Sequence, residues 1–481
     1  MTLFFIIAIT CNSALSDIHY VKEEGTGDGS SFADANGVLH DMIDAPGSGD
    51  EVWVAAGIYH PTKEAGGTGD IYKTFQMKNG VAIYGGFAGN ETATFDVNDR
   101  DLAANETILS GDLLGNDTPG LDPCDFPDDP NRADNCYHVF FHPDGTDLEP
   151  NAILDGFTIT AGNGGGMYNR SSSPTVTNCT FSRNSAGHFG GGMSNSYGPS
   201  AVTNCTFSGN SAGYAGGGMF NYSGTIVTNC TFSGNSAYDG GGMCNYYVGY
   251  PTVTGCTFSG NSANTGGGMS NIYYSDPAVS NCVLWGNSAS VASQIYNDFT
   301  GLTTVSYSDI EGCGGSISWD PNIGSDGGGN IDADPCFVDF NGPDETVGTD
   351  DDNLRIRMNS ACIDAGDNDV LPADILDLDN DGNTVEPLPY DLDGRERIVD
   401  GDCNDTIIVD MGAYEFGWLY LGDFAGGCDV DFVDFAVLGL TWLKVDGQAG
   451  YDPNCDISLP ADDFVDEKDL KIFTDNWLAG L

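Results

Sequence analysis

Basic residues are scarce in this chain. Fifteen Lys and Arg stand against 71 Asp and Glu over 481 residues, a formal charge of −56. Nucleic acid and anionic membrane surfaces repel such a polyanion, so neither is expected as a partner. No Lys or Arg occurs between Asn184 and Leu354, and between 161 and 300 the only acids are Asp239, Asp276 and Asp298. That segment lacks the charged side chains on which acid–base chemistry draws. Long apolar runs are missing as well. Leu3 to Ile9 is too short to cross a bilayer, and no other segment is apolar enough. With small residues at Ala14 and Ser16, residues 1–16 read as a signal peptide, which predicts a secreted or cell-surface protein.

What the chain has instead is repetition. "NCTFSGNSA" occurs at 204–212 and again at 229–237, and variants begin at 178, 255 ("GCTFSGNSA") and 281. Cysteines at 179, 205, 230, 256 and 282 are 25 or 26 residues apart, and "GGGM" tetrads begin at 164, 190, 216, 240 and 266. A period of this length marks a solenoid, propeller or array. The unit "PTVTNCTFS" is β-branched and alternating, is followed by Asn, Ser and Gly, and has no helical period. It therefore predicts one coil of a parallel β-helix, with each strand pairing with its copy about 4.8 Å away.

Parity within the unit predicts bends. Val176 and Cys179 differ in parity, yet both are apolar. A left-handed residue at Asn178 turns Val176, Cys179 and Phe181 all inward. Asn184 is expected at a second corner, with Ala186 and Met193 inside. Stacking then makes ladders of Cys179, Cys205, Cys230, Cys256 and Cys282, and of Asn178, Asn204 and Asn229. The thiols are read as small buried hydrophobes, although neighbouring coils lie within disulfide reach. Outside the repeats, Cys124 with Cys136 is a pair that could staple a loop.

With "GGGM" and "FSGN" in each unit, residues 150–311 resemble the right-handed β-helix proteins of the pectate-lyase-like superfamily. Within it they resemble the repeats of polymorphic outer membrane proteins, with their "GGAI" and "FxxN" motifs. The resemblance implies an all-β, right-handed, single-stranded parallel β-helix over 17–330, with "DGSSFADANGVLHDMI" (28–43) as an N-terminal capping helix. Residues 331–418, which are rich in acid, resemble the region that closes many secreted β-helix proteins. The paired segments 422–443 and 455–478 resemble a dockerin, so 419–481 is expected to be a small α-helical module with two calcium loops. That likeness assigns Asp423, Asp431 and Asp434 to one loop and Asp456, Asp466 and Asp469 to the other. It implies bound Ca2+ and a cohesin-like or scaffold partner. Separately, the alternate carboxylates of "DLDNDGN" aim Asp377, Asp379 and Asp381 at one hard cation.

Two candidate sites remain. The loop 111–138 gathers Asp112, Asp117, Asp128, Arg132 and His138. The functional reading of that loop is a calcium-bridged uronide site of a polysaccharide lyase, with Arg132 as base; a glycoside hydrolase, the other enzyme reading, would instead need two of the carboxylates. His188 in the "GHFG" repeat variant is read as exposed filler. The second site is a strip of tyrosines after each "M-x-N": Tyr197, Tyr222, Tyr246, Tyr247, Tyr273 and Tyr274. Phenolic rings on a rigid face suit stacking on sugars. The missing basic residues favour binding, display or adhesion to a polysaccharide, surface glycan or protein over catalysis.

Overall fold

The computed structural model describes residues 17–416 except 119, 122, 248, 299, 348, 350, 376, 380, 402, 403 and 405, together with 432–444, 465 and 470. The chain divides into two compact units, Met1–Ile398 with Val409–Glu415, and Val399–Ile408 with Phe416–Leu481. In the second unit the described residues include one helix, Phe432–Thr441. No described helix is long and apolar enough to cross a membrane.

The first unit is a parallel β-solenoid. One coil runs through strands Thr175–Thr177, Thr180–Ser182, Ser185–Ala186 and Met193–Ser196. Copies of these strands build parallel sheets of eleven, nine, five and seven strands. Register is one coil per step: Val176 pairs with Val202, Phe181 with Phe207, and Met193 with Met219. These side chains are fully buried. The rings of Phe181, Phe207, Phe232 and Phe258 stack at 4.9, 4.7 and 4.5 Å, within 4° of parallel. The first coils are irregular. Helix Leu39–Asp44 puts Leu39, Met42 and Ile43 into the same core as Val21, Val52 and Val54.

The corners explain the repeated nonapeptide. Asn178, Asn204, Asn229 and Asn281 adopt φ of 51°, 51°, 48° and 52°. They turn the chain as the parity argument requires, but they do not hydrogen-bond to one another. Asn178 Nδ2 donates to Asp155 at 3.2 Å and Asn229 Nδ2 to the Tyr390 carbonyl at 2.8 Å. The second corner also differs from expectation. Its left-handed residues are Arg183, Gly209, Gly234, Gly260 and Gly286, one place before the asparagines. That leaves Asn184, Asn210, Asn235, Asn261 and Asn287 pointing inward, where each amide donates to the next at 2.8–3.1 Å. A second buried ladder, made by the asparagines of the "M-x-N" repeat and their successor, joins Asn169, Asn195, Asn221, Asn245, Asn271 and Asn297. A buried amide needs its partners, and stacked coils supply them at every step.

The repeat cysteines are free and buried. The backbone N–H of Cys205, Cys230 and Cys256 each points at the next thiol, 3.4 Å away. Cys136 is also a free buried thiol and belongs to the main core, so it does not pair with Cys124. Burial pushes its thiol up to about 12.

The acidic segment after the repeats does not extend the solenoid. A short antiparallel pair, Phe337–Asp339 with Asn353–Ile356, is followed by chain that folds back along the coil corners. The Cys362 thiol donates to Asp309 at 3.3 Å. Asn281 exchanges hydrogen bonds with Asp367, Gly412 N–H donates to the Asn281 carbonyl, and Ala413 N–H donates to Thr257 Oγ1. This strap carries a fully buried ion pair, Arg397–Glu415, at 3.3 Å.

Candidate binding groove

The seven-stranded sheet supplies the floor of the groove. Its inward positions are the methionines and asparagines, so the residues between them face outward. In register these are Phe141, Tyr168, Ser194, Phe220, Cys244, Ser270 and Tyr296. Outward residues of a surface sheet are ordinarily wet, yet Ser194, Phe220, Cys244 and Ser270 are buried. Rings from both sides cover them.

One wall follows the seven-stranded sheet. Tyr222 and Tyr246 continue the strand ends, whereas Tyr197, Tyr247 and Tyr273 come one residue later, at φ of 62°, 62° and 56°. A left-handed bulky residue is uncommon, and here it swings the ring out over its neighbour. The two columns interleave: Tyr197–Tyr222 at 4.8 Å, Tyr222–Tyr247 at 5.2 Å, Tyr222–Tyr246 at 5.6 Å and Tyr246–Tyr273 at 4.9 Å. Tyr274 lies at a third position and is exposed. The opposite wall comes from the five-stranded sheet, whose strands Ser211–Ala215 and Ser236–Asp239 carry Tyr214 and Tyr238, and from Phe189, which follows strand Ser185–Ala186. Phe189 packs 4.5 Å from Phe220 and 5.5 Å from Tyr214, and Tyr214 stacks on Tyr238 at 6.3 Å. Burial and then Asp239 push the Tyr214 phenol above its usual range, while burial and then Tyr273 do so for Tyr246. These phenols therefore stay protonated and act as hydrogen-bond donors.

Between the walls lies a cavity of about 400 Å3 whose lining includes His138, Tyr168, His188, Phe189, Tyr197 and Tyr222. Its one cation among the described residues, Arg170, is paired with Asp144 at 2.8 Å and lies over the Tyr197 ring. Such a groove offers ring faces and phenolic donors and almost no net charge.

The predicted strip is thus half of a groove. Sequence reading missed Phe189, Tyr214, Tyr238 and the floor. A signal was available, because Phe189, Tyr214 and Tyr238 each fall shortly before a "GGGM" tetrad. His188 lines this groove as well.

The loop 111–138 is built differently from the expectation. Arg132 is 3% exposed. Its guanidinium lies 3.0 Å from Asp117, donates to the carbonyls of Gly162 and Arg183, and covers the Phe126 ring at 4.6 Å. Asp112 accepts from the backbone N–H of Gly115, Asn116 and Asp117. These groups pin the loop to the first coils, so the base and carboxylates of the lyase reading are already engaged. Burial raises Asp117 despite its partners. His138 stands apart from them, stacked on Phe141 at 5.3 Å, and burial pushes its imidazole down to about 3. The Asp128 side chain lies outside the described residues.

Asp377, Asp379 and Asp381 place carboxylate oxygens within 4.8 Å of one another, and Asp379 does the same with Asp374 and Glu386. Of the calcium loops expected in 419–481, Asp423, Asp431, Asp456, Asp466, Asp469 and the Asp434 side chain lie outside the described residues.

No curated protein matches the sequence. Among solved structures, pectate lyase Pel9A is 14% identical with a TM-score of 0.42, covering 83% of this chain and 96% of its own. Escherichia coli YbhC is 14% identical with a TM-score of 0.28, covering 72% and 82%. Residues 200–325 match the family model of the right handed beta helix region, so the solenoid that carries the groove is a right-handed β-helix.

Proposed function

We propose that the protein is an exported binding and display protein whose groove holds a neutral polysaccharide or surface glycan. The observation that carries this reading is the pair of aromatic walls over a buried outward row, repeated once per coil. Sugar rings present apolar C–H faces that stack on phenols and hydroxyls that phenols bond, so a periodic uncharged trough suits an extended glycan. An exposed ring surface of this extent on a chain of charge −56 is a contact surface. The engaged state of Arg132 counts against the alternative, a lyase or glycosidase in the 111–138 loop. The test is retention of the full chain on a panel of neutral and acidic polysaccharides, with product ends monitored. Retention on neutral glycans that is weakened in Tyr222→Ala supports the reading. Unsaturated or reducing ends that vanish in Arg132→Ala would overturn it.

We further propose that Ca2+ binds the 377–381 loop and the dockerin-like module, which tethers the chain to a cohesin-like or scaffold partner. Hard carboxylate oxygens at this spacing suit calcium. Calcium should raise the unfolding temperature by several degrees, and Asp379→Asn, which removes the carboxylate shared by both groups, should halve that rise or more. An identical rise in the variant would remove the 377–381 loop from the proposal.

A further inference from the structure

The groove adjoins a smaller cavity. About 130 Å3 in volume, it is lined by Gly66, Tyr72, Lys73, Tyr137, His138 and Phe141 among others, and Tyr137 and His138 line the groove too. Rings make most of its wall: Tyr72 stacks on Tyr137 at 6.4 Å and His138 on Phe141 at 5.3 Å. The loop over Phe141 closes because residue 66 is glycine. A β-carbon there would lie 2.7 Å from the ring, and φ is +80°. A volume of this size holds a few heavy atoms.

Its polar groups are few and specific. Lys73 Nζ is 2.8 Å from Asp70, so its charge is already matched. His138 Nδ1 is buried without a hydrogen-bond partner, facing the backbone at Gly165. A proton on Nδ1 would be a buried donor with no acceptor, so the imidazole carries its proton on Nε2. Nε2 makes no hydrogen bond to the described residues. His138, which lines the cavity, therefore brings one neutral N–H donor to a wall made mostly of the rings of Tyr72, Tyr137 and Phe141. The matching ligand group is a carbonyl bearing a methyl, with its oxygen on Nε2–H and the methyl against Phe141 and Tyr72. A free carboxylate fits worse, since Asp70 already neutralises the lysine.

We propose that this cavity takes the acetyl substituent of a glycan lying in the groove, so that the protein selects acetylated over plain neutral chains. The proposal rests on the glycan reading of the groove. It is tested by calorimetric titration of the full chain with chitohexaose and with cellohexaose, which has a hydroxyl where the former has an acetamido group. Wild type should bind the acetylated chain about tenfold tighter, a difference of about 1.4 kcal/mol. His138→Phe keeps a ring but removes the donor, and should bring the ratio close to one. His138→Gln restores a donor and should recover part of it. Tyr222→Ala should weaken both ligands. Equal affinities in wild type, or a preference untouched by His138→Phe, would overturn the acetyl cavity and leave the groove standing. No binding of either chain by wild type would overturn both.

Discussion

Gly255 interrupts the corner asparagines because another residue needs the space. A β-carbon at 255 would lie 2.6 Å from Arg397 Nη2 and 2.7 Å from Asn229 Oδ1. The Arg397 guanidinium, which pairs with buried Glu415, sits where the next asparagine side chain would have been. Breaking a buried pair is costly, since it strands a charge away from water. Gly255→Asn, which restores the repeat consensus, should therefore destabilise the protein by about 3 kcal/mol, read as a lower urea midpoint. An unchanged midpoint would show that the strap yields at this corner. Asp309 is a second informative residue. It is fully buried, and burial raises its carboxyl to about 6, with Asp332 and Asp334 adding to the effect against hydrogen bonds from Ala333 and Cys362. The folded value lies above the unfolded one. Between about pH 4 and 6 the native state thus keeps a proton that the unfolded chain has released, and stability falls as pH rises through that window. Asp309→Asn should remove about 2 kcal/mol of that decline, measured as the difference between wild-type and variant unfolding curves at pH 4 and pH 7.

At the scale of the element, identical strands do two jobs. Inward, they stack Phe on Phe and Asn on Asn, and each pairing is repeated by the next coil. Outward, one sheet becomes the floor of the groove. Tyr222 touches the rings of Tyr197, Tyr246 and Tyr247. Tyr250 is exposed and lies outside these ring contacts. An aromatic contact of this kind contributes about 1 kcal/mol. Tyr222→Ala should therefore lower glycan affinity five- to tenfold, and Tyr250→Ala should leave it within twofold. Equal effects of the two substitutions would assign retention to general stickiness. The tyrosines after "M-x-N" were legible because they recur with the period. The opposite wall also recurs, ahead of the "GGGM" tetrads, but the period does not say that the strands Ser211–Ala215 and Ser236–Asp239 turn these rings toward the tyrosines. The second asparagine ladder escaped for a related reason. A polar residue in a strand has the same letter whether it faces water or a stacked copy of itself.

At the scale of the whole molecule, sequence alone determined the solenoid. A period of 25 or 26 residues with alternating strand chemistry permits one way of burying every Val, Cys, Phe and Met, which is to stack each on its copy. Those contacts join neighbouring units, so local pattern suffices to specify them. Tertiary structure decided the rest. It turned the acidic segment back along the coil instead of onward, sealed Arg132 inside a loop that composition marked as a catalytic candidate, and brought two separate sets of rings face to face. The strap and the sealed loop depend on contacts between residues far apart in the chain with no repeated spacing, and the facing walls depend on which way two different sheets turn their rings. Their partners are chosen by shape and charge in three dimensions, which a one-dimensional period does not encode.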